Sequence, residues 1–246
     1  MQFPENVTRL CGAKKFSFGC HAGVDCFTEC CRELELALTP YDVLRLRRKL
    51  ALGSVDFINR FIVMEQEQND VFPRFYLGMV DDGRASCPFV SLAGCMVYDD
   101  RPGACRAYPV GRGATLNPDG RQQEIYVLVK ENHCLGFGEP QSYSVKEWFF
   151  NQGLAEYNQM NDEVMSLLQH DQVRQGGRFS PEQIDFFLLA LYKLDEFREF
   201  VSGSDFQTQF NMAENERQAA LTSEESLLKF GIHWLKNVLF EDGSWR

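Results

Sequence analysis

The chain has 246 residues, 44% hydrophobic and 24% charged, a balance that sustains a folded core and excludes global disorder. Its net charge of −10 is concentrated late: 16 basic face 18 acidic residues in 1–140, and 9 face 17 in 141–246. The acidic second half argues against a nucleic-acid surface, which needs clustered Lys and Arg, and no run of about 18 apolar residues is present to span a membrane.

The opening residues, MQFPENVTRLCGAKKF, lack the apolar stretch of a secretory signal, so a cytoplasmic, reducing setting is expected. There nine cysteines, an odd number, read as thiolate ligands rather than as a disulfide framework. Residues 1–19 read as irregular, and the isolated Cys11 reads as a small buried hydrophobe outside any site. Next comes CHAGVDCFTECC, which puts Cys20, Cys26, Cys30 and Cys31 within twelve residues. Thiolates are soft ligands that favour zinc, copper(I) or iron–sulfur clusters. The adjacent pair Cys30-Cys31 is badly shaped for a disulfide, and its diverging side chains suit two neighbouring sites or two irons of one cluster. This stretch reads as the first half of a metal site, on a loop wound around the ion.

Thr39-Pro40-Tyr41-Asp42 is a helix start with a capping residue, a proline at the first position and an acid in the first turn. Arg45, Arg47, Arg48 and Lys49 then read as its solvated face. A second helix is expected from Ser54, carrying Phe57, Ile58, Phe61 and Ile62 toward the core. Residues 72–80 read as a strand, and Ile125–Lys130 as a second strand pairing back on it. Between them lie Cys87-Pro88, Cys95 and Cys105, with too many prolines and glycines for a long regular element. Cys134 follows.

From Ser144 the cysteines stop and helix signals dominate. Ser144–Glu147, Ser180–Gln183 and Thr222–Glu225 are capping-box patterns, and helices are expected over about 144–170, 180–201 and 222–240. The aromatics Trp148, Phe149, Phe150, Phe186, Phe187 and Trp234 read as core packing.

Taken in order, these pieces resemble the YkgJ-type cysteine-cluster family of zinc- or iron-chelating proteins. The motifs that carry the resemblance are the group ending in Cys30-Cys31, Thr39–Asp42, Cys87-Pro88-Phe89, Cys95, Tyr98–Pro109 with its Arg-Pro-x-x-Cys-Arg-x-Tyr-Pro core, and Cys134–Gly138. They cover about residues 16–140, and five residues separate Cys20 from Cys26. The resemblance implies a metal site made of Cys20, Cys26, Cys30, Cys31, Cys87, Cys95, Cys105 and Cys134, enough for two four-cysteine sites. It also picks out Arg101 and Arg106 as donors to sulfur or to backbone beside the metal. His21 and His133 are alternative ligands. The wide cysteine gaps and the Cys-Pro dipeptide favour an iron–sulfur cluster (4Fe-4S first) over zinc.

The expected fold is α+β and predominantly α. An irregular metal-binding domain over 1–140, with a small two-stranded antiparallel element, precedes a helical domain over 141–246. The leading function is metal binding in an unassigned process. Competing readings are a cluster-dependent protein-modifying enzyme, since some larger proteins resembling this family methylate flagellin lysines, and an interaction module whose acidic helices dock on a protein partner. No GxGxxG, GxSxG, HExxH or CxxxCxxC motif supports catalysis.

Overall fold

The computed structural model describes residues 3–11, 14–117, 121–204, 206, 210 and 213–240. With 46% helix and 17% strand in small antiparallel sheets, the fold is α+β and predominantly α. Helices α1 (Pro40–Lys49) and α2 (Ser54–Phe61) start where the cap chemistry puts them. Thr39 Oγ1 accepts from the Asp42 N–H at 3.3 Å while Asp42 accepts from the Thr39 N–H at 2.9 Å, a closed capping box. A short helix α3 (Gly103–Ala107) lies in the proline-rich stretch. The segment expected as one helix over 144–170 is instead α4 (Val145–Asn151) and α5 (Ala155–Leu168). Gly153, at φ +63°, breaks it in a left-handed conformation that glycine adopts freely. A single turn α6 (Asp171–Arg174) precedes α7 (Pro181–Tyr192) and α8 (Leu194–Ser202), so the helix expected over 180–201 is also two, parted at Lys193. Helices α9 (Glu214–Ala220) and α10 (Glu224–Phe240) complete the described set. The capping boxes at Ser144 and Ser180 both form. At α10 the cap is Ser223, whose hydroxyl accepts from the Ser226 N–H at 3.0 Å, one residue after the Thr222 expected to do so.

The strands are β1 (Val7–Leu10), β2 (Phe16–Ser17), β3 (Ile62–Glu65), β4 (Arg74–Leu77), β5 (Val90–Ser91), β6 (Gly94–Cys95), β7 (Val110–Leu116), β8 (Gln122–Val129) and β9 (Ser142–Tyr143). The largest sheet has the antiparallel order β1-β8-β7. This corrects two expectations. The N-terminal stretch is not wholly irregular, because Val7 to Leu10 pair with Val129 to Tyr126. The strand at 125–130 does not pair back on the one at 72–80. It forms a hairpin with β7, and β4 pairs with β3. A hairpin closes a short loop, whereas pairing 125–130 with 72–80 would close a long one at greater entropic cost.

Two compact units interleave along the chain, one of residues 1–37 and 76–159, the other of 38–75 and 160–246. In the first, Leu10, Phe16, Phe18, Val110 and Trp148 form the core of the sheet side. The Trp148 indole N–H donates to the Ala107 carbonyl at 2.8 Å, tying α4 to the end of α3. Phe150, expected in the core, is 86% exposed. In the second unit α10 packs on α7, and Trp234 is enclosed by Phe186, Phe197, Phe200 and Phe206. Phe57 is fully buried, while Ile58, Phe61 and Ile62 are half-buried. Arg47 is not on a solvated face: it is buried and ion-paired with Asp195 at 3.4 Å and with Glu224.

Candidate metal centre

Three stretches of the first unit supply seven of the nine cysteines. The residues from Cys20 to Cys31 coil through successive tight turns, with N–H to C=O bonds from Val24 to His21, Phe27 to Val24, Glu29 to Cys26 and Cys31 to Thr28, all of 2.8–3.0 Å. Thr28 sits at φ +70°, an uncommon conformation for a β-branched residue, just before the 3₁₀ turn Glu29–Cys31. The second stretch is latched to the first by the Cys87 N–H donating to the Cys31 carbonyl at 2.8 Å. It then folds into the β5–β6 hairpin, where Cys95 pairs with Val90. The third brings Cys134 in through the turn that the Cys134 N–H makes with the Glu131 carbonyl at 3.0 Å. Its approach is close: the Gly19 N–H donates to the Gly136 carbonyl at 3.0 Å, and a Cβ on Gly136 would meet the Gly19 carbonyl oxygen at 2.6 Å.

All nine cysteines are free thiols, and the sulfurs of Cys20, Cys26, Cys30, Cys31, Cys87, Cys95 and Cys134 are near enough to act on one another. Burial pushes the Cys20 thiol up to about 11, with Cys30, Cys26 and Cys134 adding to the rise and Arg101 opposing it. Cys30 is pushed well up, first by a hydrogen bond with Cys31 and then by burial. Burial also raises Cys87, Cys95 and Cys134, and Cys30 acts on all three. The couplings thus fall into two sets that share Cys30: Cys20, Cys26 and Cys134 on one side, Cys87 and Cys95 on the other.

Backbone donors point at these sulfurs. The Leu135 N–H donates to Cys26 Sγ at 3.2 Å. The N–H groups of Phe89 and Val90 act on Cys87, that of Val97 on Cys95 and that of Gly136 on Cys134, each favouring the thiolate. Sequence reasoning missed these donors because a backbone N–H carries no residue signature.

The other expected site residues are placed as follows. Cys105 is exposed on α3, coupled to Arg101, which also couples to Cys95 and Cys20. Arg101 donates to the Tyr98 carbonyl at 2.6 Å and to Gln152 Oε1 at 2.5 Å, and lies 3.9 Å from the Tyr98 ring centroid. The Arg106 guanidinium donates to the carbonyls of Arg101 at 3.1 Å, Gln152 at 2.8 Å and Asp99, and lies 4.8 Å from the Tyr157 ring centroid. Both arginines are buried. Gln152 went unnoticed in the sequence. Neither histidine turns to sulfur: His21 uses Nε2 on Glu139 at 3.1 Å and Nδ1 on the Gly23 N–H, and His133 pairs with Glu131 at 3.3 Å. Cys11 is exposed, not a buried hydrophobe.

Among the described residues no group of three or more His, Cys, Asp or Glu side chains is gathered closely enough to hold an ion as it stands. The chemistry of the donor set nevertheless fits a soft metal: clustered thiols whose mutual repulsion a cation would relieve, backbone N–H groups aimed at sulfur, and a neighbouring guanidinium. A buried polar atom of this region bears on the centre. The Tyr108 hydroxyl has no completed hydrogen bond, and it lies beside the Cys134 thiol.

Residues 19–135 match the family model CxxCxxCC, whose description reads "Putative zinc- or iron-chelating domain". This stretch is similar to a CxxCxxCC domain. It takes in Cys20 through Cys134, leaves out Cys11, and agrees with the resemblance carried by the motifs. The domain's first cysteines are spaced more widely than its name spells, with five and three residues between Cys20, Cys26 and Cys30. No curated protein and no solved structure matches the chain. In the described residues no helix is long and apolar enough to cross a membrane.

Proposed function

We propose that the CxxCxxCC domain is a polythiolate metal centre holding a 4Fe-4S cluster on Cys20, Cys26, Cys30 and Cys134, with Cys31, Cys87, Cys95 and Cys105 as a second four-cysteine set. The observation that carries this reading is the set of backbone N–H groups directed at four separate sulfurs, those of Cys26, Cys87, Cys95 and Cys134. An N–H aimed at sulfur is weakly used by a thiol and strongly used by a thiolate, because a hydrogen bond to an ionised acceptor is about twice as strong as a neutral one. Four of them in one small region support ligands that work in the deprotonated state. When bound, the cluster supplies one-electron chemistry or a structural cross-link. The chain's own contribution is to hold the sulfurs, to place the Arg101 charge beside Cys20 and Cys95, and to brace that loop through Arg106. A cytoplasmic setting goes with this reading, since free thiols persist where the medium is reducing.

Alanine variants test it. Cys30→Ala and Cys134→Ala are expected to purify without the metal that the native chain carries, whereas Cys11→Ala keeps it. Full metal retention in a Cys30→Ala, Cys134→Ala double variant would overturn the assignment.

A further inference from the structure

We propose that Tyr108 is a positioning residue for the metal centre, whose hydroxyl donates a hydrogen bond to the Cys134 sulfur once that sulfur is a metal-bound thiolate. The inference rests on the metal-centre reading above. Tyr108 is held from two sides. Its N–H donates to the Ala104 carbonyl at 3.1 Å, which fixes it at the end of α3, and its ring meets Phe18 edge-on at 5.7 Å. Phe18 is itself buried against Phe137 and Trp148 at 5.3 and 5.5 Å. The half-buried ring is thus seated against the core on its Phe18 side. Yet the oxygen is buried and makes no completed hydrogen bond. The groups beside it are the Cys134 thiol and the Glu131 backbone N–H; the N–H can only donate, so the sulfur is the acceptor within reach of the hydroxyl proton.

A buried hydroxyl without a partner costs free energy, so a side chain kept in that position is explained best by a partner that it gains in another state. A neutral thiol is a weak acceptor. A thiolate is a strong one, and a donor to a ligand sulfur steadies the metal–sulfur bond. The metal-free and metal-bound proteins should then respond to loss of the hydroxyl in opposite senses, which a purely structural tyrosine would not do.

The test compares the full chain with Tyr108→Phe, each metal-free and each loaded with Zn²⁺ under reducing conditions. Three results are expected. Both proteins bind the same number of zinc ions, and Tyr108→Phe gives up its zinc to a competing chelator about 10-fold more readily. The metal-free variant melts at or above the native temperature, and the zinc-loaded variant melts below it. In a Cys134→Ser background the same substitution has no effect on zinc retention. The proposal is overturned if retention is unchanged, if the metal-free variant loses stability as much as the loaded one or fails to fold, or if the effect persists without Cys134. A native chain that takes up no zinc or iron at all would remove the metal-centre reading itself. A native chain that holds metal beside an indifferent Tyr108→Phe removes this inference alone.

Discussion

Gly136 offers the sharpest test of how the third cysteine stretch is seated. Its Cα faces Gly19 so closely that an alanine Cβ would stand 2.6 Å from the Gly19 carbonyl oxygen and 2.8 Å from Phe18 Cε2. The oxygen is backbone and Phe18 is locked in the core, so neither can yield cheaply. Overpacking of this kind costs about 1–3 kcal/mol. Prising the two segments apart also weakens the bond from the Gly19 N–H to the Gly136 carbonyl, worth about 1 kcal/mol more. Gly136→Ala should therefore lose about 2–4 kcal/mol, a large share of the roughly 5–15 kcal/mol of a typical domain but compatible with folding in the cold. Gly138→Ala is the control, because a Cβ there meets nothing within 4 Å and its cost should stay within about 0.5 kcal/mol. Urea unfolding followed by circular dichroism reads both. Equal midpoints for the two variants would refute the packing argument.

Other consequences follow from the same geometry. Arg106→Lys leaves carbonyls of Arg101, Gln152 and Asp99 without their donors and should destabilise by about 2–3 kcal/mol; a thermal midpoint equal to the native one would count against the bracing role. The metal-free, reduced protein should lose stability in alkali. Folding raises the Cys20 thiol from 9.0 to about 11, and Cys87, Cys95 and Cys134 move the same way, so their folded-state pKa values exceed the unfolded ones. Stability is then fully present below about pH 9 and falls as pH rises toward 11, because the unfolded chain ionises first. Urea midpoints at pH 8 and pH 10 check this, and a higher midpoint at pH 10 contradicts it. Removal of metal should speed amide hydrogen exchange in the cysteine stretches of residues 19–135 much more than in α7 and α10, since thiolate ligation couples to local folding. Uniform acceleration across the chain would argue against a local centre.

What could be read from the sequence was what is decided locally. Thr39, Ser144 and Ser180 cap their helices because a side chain reaching three residues on needs no distant partner. The cysteines stand out by chemistry alone, as the side chains a soft metal favours. Nonlocal pairings were not. Nothing in the local sequence announces β7, whose Gly111 and Gly113 leave room for Val127 and Ile125; their methyl and methylene groups would meet a Cβ there at 2.9 Å. Arg47 looks like one more surface cation until Asp195 and Glu224 arrive from far along the chain. Residues 38–75 cluster with the late helices, a grouping that follows from tertiary contacts rather than from chain order. At the candidate centre the hidden parts were backbone donors, the Gln152 carbonyl and the role of Tyr108, which exist only once the loops are folded.

On this reading residues 19–135 hold a metal through their cysteines. Metal analysis of the full chain purified without oxygen, with a visible absorption spectrum of the same sample, tests it most directly. A brown protein is expected, with iron and acid-labile sulfide present in whole-number ratio to the chain and abolished by Cys30→Ala. A colourless sample with stoichiometric zinc would replace the cluster by a structural zinc centre on the same thiolates, and a chain free of both metals would contradict the claim outright.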